Sequence, residues 1–317
     1  MSLVPNPDNI RLAMLGMVDG NGHPYSWSAI INGRYDADVM AECGYPVIPQ
    51  YLGAAPEGAL GIPGAEVTHI WCDDPIDTDK VARAALIPNQ VAKAEDVIGH
   101  VDAVVVATDR GYEHVDRCRP FIEAGLPIFI DKPMTDNTAD LQQFITWHQE
   151  GKAFMSTSAL GYSKEFRALD SQFDAIGEPR LITMTMAKTW ERYGIHALEG
   201  IYPMLAAGGY TSIAHRGTEA RNHMHLTHES GVDVMLHVID DLYGAFGHLS
   251  VFGTKGTLSA KFEDTFYAFK TQLEGYVDYL RTGTSPVPFS ETVELMKIII
   301  AGLVSRANGG IVVDIVD

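Results

Sequence analysis

The stretch Pro127-Ile128-Phe129-Ile130-Asp131-Lys132-Pro133 constrains the fold more than any other. A short β-branched and aromatic run that follows Gly125 and stops at a proline has the pattern of a buried parallel strand. Pro133 stops the strand and holds Lys132 extended. The lysine therefore stands at the carboxyl end of a strand, on the edge of an open α/β sheet where ligands bind. Taken alone, Lys132 reads either as a ligand-facing group or as a surface lysine paired with Asp131.

Other segments repeat this arrangement. Residues 10–15, 67–72 and 102–108 read as strands that end in polar residues, and helical patterns follow them. Such alternation implies a doubly wound parallel sheet. After the first strand, Gly16, Gly20 and Gly22 lead into a helix at 26–32. This is the context of a phosphate site at a helix N-terminus. The spacing departs from GxGxxG, with Val18 and Asn21 counted from Gly16 and Tyr25 counted from Gly20 where glycines belong. Asp19 also brings negative charge toward a pyrophosphate. A dinucleotide loop and a plain tight turn both remain open. Asp73 ends the second strand, where an acid binds a ribose 2′-hydroxyl. Beside Asp74 it would repel a 2′-phosphate, which favours NAD over NADP. The alternative is a cap for a helix at 78–86, for which Asp77 serves equally. Residues 33–65 form a long insert without a period, expected as an oligomer arm on the flank rather than an active-site lid. Arg34 and Tyr35 would matter only if it folded upward. A helix at 138–150, with Asp136 as its cap, and a last strand at 154–160 complete this half.

The pattern then changes. Residues 163–176 read as an amphipathic helix and 181–188 as a half-exposed strand. Hairpins follow at 221–226 with 232–238 and at 249–252 with 257–262, then closing helices at 266–280 and 290–308. The expected fold class is α/β: an N-terminal Rossmann domain over 1–159, carrying the insert, and a C-terminal α+β domain over 160–317 with a large, open, mostly antiparallel sheet. Its open face calls for a covering partner, so a homodimer or homotetramer through that sheet is expected.

A net charge of −18 argues against nucleic acid and anionic membrane surfaces as partners. Cys43, Cys72 and Cys118 form no CxxC and suggest a reducing compartment. With no leader pattern and nothing near the ~20 apolar residues of a membrane span, a cytoplasmic location is the expectation. His215, His223, His225, His228 and His237 crowd one region with Glu229. Zinc takes such ligands, so a metal-dependent hydrolase or lyase is an alternative, although no HExxH spacing is present.

Four ordered features resemble the Gfo/Idh/MocA oxidoreductases, which include glucose–fructose oxidoreductase and inositol dehydrogenase. They are Ala107-Thr108 with His114 six residues beyond Thr108, Asp131-Lys132-Pro133 in place of Glu-Lys-Pro, Gly194-Ile195-His196, and the late hairpin Phe252-Gly253-Thr254-Lys255-Gly256-Thr257-Leu258. The resemblance spans nearly the whole chain. It implies an NAD(P)-dependent dehydrogenase acting on the CH–OH group of a sugar, polyol or sugar-acid-like substrate, a small polar molecule. It also implies that Lys132 sits between nicotinamide and substrate and stabilises alkoxide character, and that His196 moves the hydroxyl proton. Asp131 takes the place of the acid at the nicotinamide ribose, and Thr108 and His114 line the cofactor site. Two departures concern the substrate. Asp109-Arg110 replaces Pro-Asn, and Arg192 stands where many members carry an Asp four residues before the histidine. Arg110 and Arg192 suggest an anionic substrate, Glu199 is a candidate for the missing carboxylate, and Tyr193 reads as packing before catalysis. A non-catalytic nucleotide-binding homologue is the remaining alternative, suggested by the broken glycine motif.

Overall fold

The structure is a computed structural model that describes residues 1–242, 244 and 246–315. Its first sheet is parallel, with strands β1 (Ile10–Leu15), β2 (Ala65–Trp71), β3 (Asn89–Gln90), β4 (Ala103–Val106), β5 (Ile128–Ile130) and β6 (Phe154–Met155) in the order β3-β2-β1-β4-β5-β6. β4 and β5 are buried along their whole length, as continuous Val and Ile runs covered on both faces must be. The strand order reverses between β1 and β4. A crevice opens there at the carboxyl edge, and the ligand site of such sheets forms in it.

Helices α1 (His23–Asn32), α2 (Ala37–Ala41), α3 (Val47–Gly53), α4 (Pro75–Ala84), α5 (His114–Glu123) and α6 (Thr138–Gln149) belong to this half. Two caps differ from expectation. Asp74, not Asp77, caps α4, because Pro75 fits the first helical position and needs no donor there. Asn137, not Asp136, caps α6 and accepts the Asp140 N–H. The insert contains α2 and α3 and is not irregular throughout.

The second sheet holds β7 (Pro179–Ala187), β8 (Tyr210–Thr218), β9 (Arg221–His228), β10 (Asp233–Ile239), β11 (His248–Gly253), β12 (Thr257–Lys261) and β13 (Val312–Asp314). Their order is β12-β11-β7-β10-β9-β8-β13, antiparallel except where β7 meets β10. Both expected hairpins are present. One face carries buried Ile182, Met184, Val234, Leu236, Met224 and Leu226 under α9 (Trp190–Ile201) and α11 (Phe289–Ala307). Residues 163–176 are not one helix but α7 (Lys164–Arg167), a 3₁₀ turn and α8 (Phe173–Ile176). Phe166, Leu169 and Ile176 still face inward, since an apolar spacing near three suits short 3₁₀-type turns as well as a helix. The expected strand at 154–160 is cut to two residues, because the chain leaves the sheet edge at Ser156 for a 3₁₀ turn at Ala159–Tyr162.

Helix α10 (Thr265–Thr282) returns to the first sheet. Leu273, Tyr276, Val277 and Leu280 are buried in one core with Trp27 and Phe129. The Tyr276 hydroxyl donates to the Val104 carbonyl at 3.0 Å, so this aromatic contributes its apolar area without stranding its polar tip. Among the described residues no helix is long and apolar enough to cross a membrane, and the three cysteines are free.

Candidate active site

Gly16 ends β1 with φ +83°, and a Cβ there would come within 2.7 Å of Thr108 Cγ2. Only glycine suits this combination of left-handed backbone and close approach. The Gly16 backbone is thus buried against Thr108, with Arg117 and Asp73 beside it. Asp73 is anchored by Arg117 at 2.9 Å, and Arg117 also bonds Glu113. Helix α1 follows Gly22, which offers no side-chain cap, and its first N–H, that of His23, is taken by Asn21 Oδ1 at 3.0 Å while Pro24 brings no donor. These features fit a dinucleotide. Gly16 would lie against its phosphates and Asp73 would meet its adenosine ribose. His114 does not face that site. It is fully buried, with Nε2 2.8 Å from the Thr108 carbonyl and Nδ1 3.1 Å from the Met134 carbonyl, and it braces two strand ends.

A compact charge cluster occupies the edges of β4 and β5. Asp131 is wholly buried and takes the Lys132 N–H at 2.8 Å, Asn21 Nδ2 at 2.8 Å and His23 Nδ1 at 2.6 Å. Asp109, also buried, lies 3.4 Å from Lys132 Nζ and 2.7 Å from Arg192. Burial works to raise the Asp109 carboxyl, but Lys132 and Arg192 outweigh it and hold its pKa at about 2. Burial likewise works against the Lys132 charge, and Asp131 and Asp109 outweigh it, leaving the ammonium more firmly protonated than usual. The lysine therefore keeps its charge at neutral pH and does not serve as a general base. It is also only 2 % exposed, beneath the Tyr193 ring at 5.1 Å. Its ammonium thus lies behind Tyr193 and does not line the cavity. Arg192 Nη2 binds Asp109 and the Asp19 carbonyl, and its Nε has no hydrogen-bond partner among the described residues. The two departures from the family pattern, Asp109 and Arg192, are thus partners in one ion pair. Arg110 lies 3.5 Å from Glu113 and lines a separate cleft on the other side of Arg192.

A cavity of about 540 Å³ opens beside this cluster. Gly20, Asn21, Gly22 and His23 form one wall, and Tyr193 and His196 of α9 face them. Tyr45, Val47, Ile48 and Tyr51 of the insert form another wall, which corrects the flank-arm expectation. Gly22 allows that approach, since a Cβ there would lie 2.7 Å from Ile48 and from Tyr45. Leu242, Phe246, Phe262 and Phe269 complete the lining, with Phe269 packed on His23 and Phe246 on His196 and Tyr193. Arg34 and Tyr35 take no part in the lining, and Arg34 pairs with Glu66.

His196 is 5 % exposed, and its Nδ1 lies 2.6 Å from Ser158 Oγ. Its Nε2 has no hydrogen-bond partner among the described residues, on a ring that borders the cavity. Burial, with Lys132 adding repulsion, pushes its pKa well below 6.5 and keeps the imidazole neutral at pH 7. Glu199 does not reach His196. Its carboxylate takes the Ser158 N–H at 2.7 Å and borders a different cavity, and burial raises its pKa well above 4.5. Lys188, which the sequence reading missed, has φ +66° and donates to the Tyr193 hydroxyl at 2.6 Å and the Gly20 carbonyl at 3.1 Å. A non-glycine residue held in that region is strained and is over-represented at functional sites. Its position at the carboxyl end of β7 was the available signal. Tyr193 is more than packing: it separates Lys132 from the cavity and lines it.

The histidines of the second sheet do not converge. His223 and His237 place their Nδ1 atoms 2.9 Å apart, His225 pairs with Asp233, and His228 bonds Ser230. Among the described residues no group of three or more His, Cys, Asp or Glu is placed to hold a metal.

Comparison with known proteins agrees with this architecture. The oxidoreductase family with an NAD-binding Rossmann fold, Gfo/Idh/MocA, matches residues 50–157. No curated protein matches the chain by sequence. The fold is shared with myo-inositol 2-dehydrogenase from Lactobacillus plantarum (TM-score 0.74, 14% identity, 96% of this chain and 99% of that one). It is shared with myo-inositol dehydrogenase from Lactobacillus casei in complex with NAD(H) and myo-inositol (0.73, 15%, 98% and 97%). It is shared also with biliverdin reductase from Synechocystis in complex with biliverdin and NADP+ (0.67, 14%, 95% and 100%).

Proposed function

We propose, from the match of residues 50–157 to the oxidoreductase family with an NAD-binding Rossmann fold, that this protein is an NAD-linked oxidoreductase acting on a CH–OH carbon of a small substrate in the cavity. The observation that carries the reading is His196, a neutral imidazole with an uncommitted Nε2 in the cavity that the glycine loop also borders. With Nδ1–H donated to Ser158 Oγ, the Nε2 lone pair takes the hydroxyl proton. Bound NAD supplies the hydride acceptor. Lys132 acts through Tyr193 and the two aspartates as a fixed positive charge below the cavity wall and does not touch the substrate. Asn21 and His23 hold Asp131, the residue expected at the nicotinamide ribose. Self-association through the exposed face of the second sheet and a cytoplasmic location complete the proposal.

The deciding experiment is a titration of nucleotide-stripped protein with NAD(H) and NADP(H). Saturable NAD(H) binding with weaker NADP(H) binding is expected, and failure of both would sink the reading. His196→Gln should then lower kcat by about 10²-fold or more without weakening NAD(H) binding. Size-exclusion chromatography tests self-association, for which a monomer is the contrary result.

A further inference from the structure

We infer that the ligand of the large cavity is an aryl-bearing hydroxy acid, or its oxo counterpart, rather than a polyhydroxylated ring. This rests on the oxidoreductase reading of the same site. Tyr45, Tyr51, Tyr193, Phe246, Phe262 and Phe269 surround the space. A polyol needs a donor and an acceptor for each hydroxyl, a task that carboxylates and amides perform. Among the described residues bordering the cavity there is no Asp or Glu, and Asn21, the amide, is already bonded to Asp131 and the Ala107 carbonyl. Hydroxyls that fall against the Phe, Leu and Ile walls, away from the tyrosine, Thr265 and lysine groups of the lining, would lose water without replacement, which is unfavourable for each one. An aromatic ring loses nothing polar there and gains edge and face contacts.

The charges select an anion. Lys188 and Lys261 border the cavity in a chain of net charge −18. Lys188 Nζ uses two of its three donors, on Tyr193 and Gly20, which leaves one. Lys261, exposed at the rim, has no ion-pair partner among the described residues. An aryl group in the interior with a carboxylate toward these ammoniums places the carbinol between them, near His196. Oxidation breaks the carbinol C–H bond, whose electron pair leaves as hydride to NAD. It also breaks the O–H bond, whose proton passes to His196, and a carbonyl remains.

The test is calorimetric titration of the full chain with 3-phenyllactate, its carboxamide, gluconate and myo-inositol. Phenyllactate is expected to bind at least tenfold more tightly than gluconate or myo-inositol. Lys261→Met, a change at the exposed rim, should weaken phenyllactate about tenfold and leave the carboxamide unchanged. Equal or tighter binding of gluconate or myo-inositol overturns the inference, as does the absence of saturable phenyllactate binding or an unaltered affinity in Lys261→Met. The NAD(H) titration keeps the two ideas apart. Phenyllactate binding without NAD(H) binding removes the oxidoreductase reading and keeps the cavity's ligand class. NAD(H) binding with a preference for gluconate does the reverse.

Discussion

Ser158 connects two titratable groups with opposite behaviour, since its N–H serves Glu199 and its hydroxyl meets His196. Glu199 has a folded pKa raised above that of the unfolded chain, so its contribution is fully present below about pH 4.5 and is lost as pH rises toward the folded value. Glu199→Gln keeps an acceptor for Ser158 and removes the ionisable group. The variant should melt about 2 °C or more above the parent at pH 8 and show no gain at pH 4, as a thermal melt series would show. An unchanged difference across that range would mean that Glu199 is not held neutral. His196 has a lowered folded pKa, so the unfolded chain takes up its proton first and stability falls as pH drops below about 6.5. For catalysis the same shift implies that alcohol oxidation keeps its rate below pH 6.5. A kcat/KM profile that breaks at the ordinary histidine value would contradict it.

At the scale of elements, the turn from β1 to α1 and the insert decide what the site accepts. Gly16→Ala forces both a left-handed alanine and a Cβ within 2.7 Å of Thr108. A loss of about 1–2 kcal/mol in urea unfolding and at least tenfold weaker NAD(H) binding are expected; full affinity in a folded variant would argue that the nucleotide lies elsewhere. The elements themselves were mostly readable from sequence. Continuous apolar runs marked β4 and β5, and turn residues between alternating strands marked both hairpins. β8 went unread because Ser212, His215, Arg216 and Gly217 disguise its alternation, while its burial comes from α11 packing on it. The carboxyl-edge residues Gly16, Asp73 and Lys132 follow from strand ends and were legible. The contacts of Lys132 beneath Tyr193, Lys188 with Gly20, and Arg192 with Asp109 join segments far apart in the chain. No local period encodes such meetings. The insert's position escapes the sequence for the same reason: its helices are short, and its destination depends on the absent side chain at Gly22.

Across the whole molecule, the Arg192–Asp109 pair ties α9 under the second sheet to the edge of the first. Asp109→Asn withdraws a buried partner from both Arg192 and Lys132, with an expected loss of about 3 kcal/mol. Arg192→Met leaves Lys132 to balance Asp109, and a smaller loss, about 1 kcal/mol, is expected. The Asp109 pKa of about 2 lies below the ordinary 3.8, so its stabilisation is present above that value and disappears as pH falls through the folded one. The gap between parent and Asp109→Asn in urea unfolding should therefore narrow between pH 4 and pH 2; a constant gap would assign the loss to shape rather than charge.

Helix α10 adds a different consequence. It is made late in the chain, yet it seals the first sheet: Tyr276 bonds a carbonyl of β4, and the Leu280 carbonyl takes the Leu3 N–H. The Rossmann half is therefore not a transferable cassette. A fragment of residues 1–159 would emerge from the ribosome with Trp27 and the Phe129 side of its core bare, and its folding would wait for residues still being synthesised. Exchanging halves with a relative would require carrying α10 along with the first half, as a discontinuous graft.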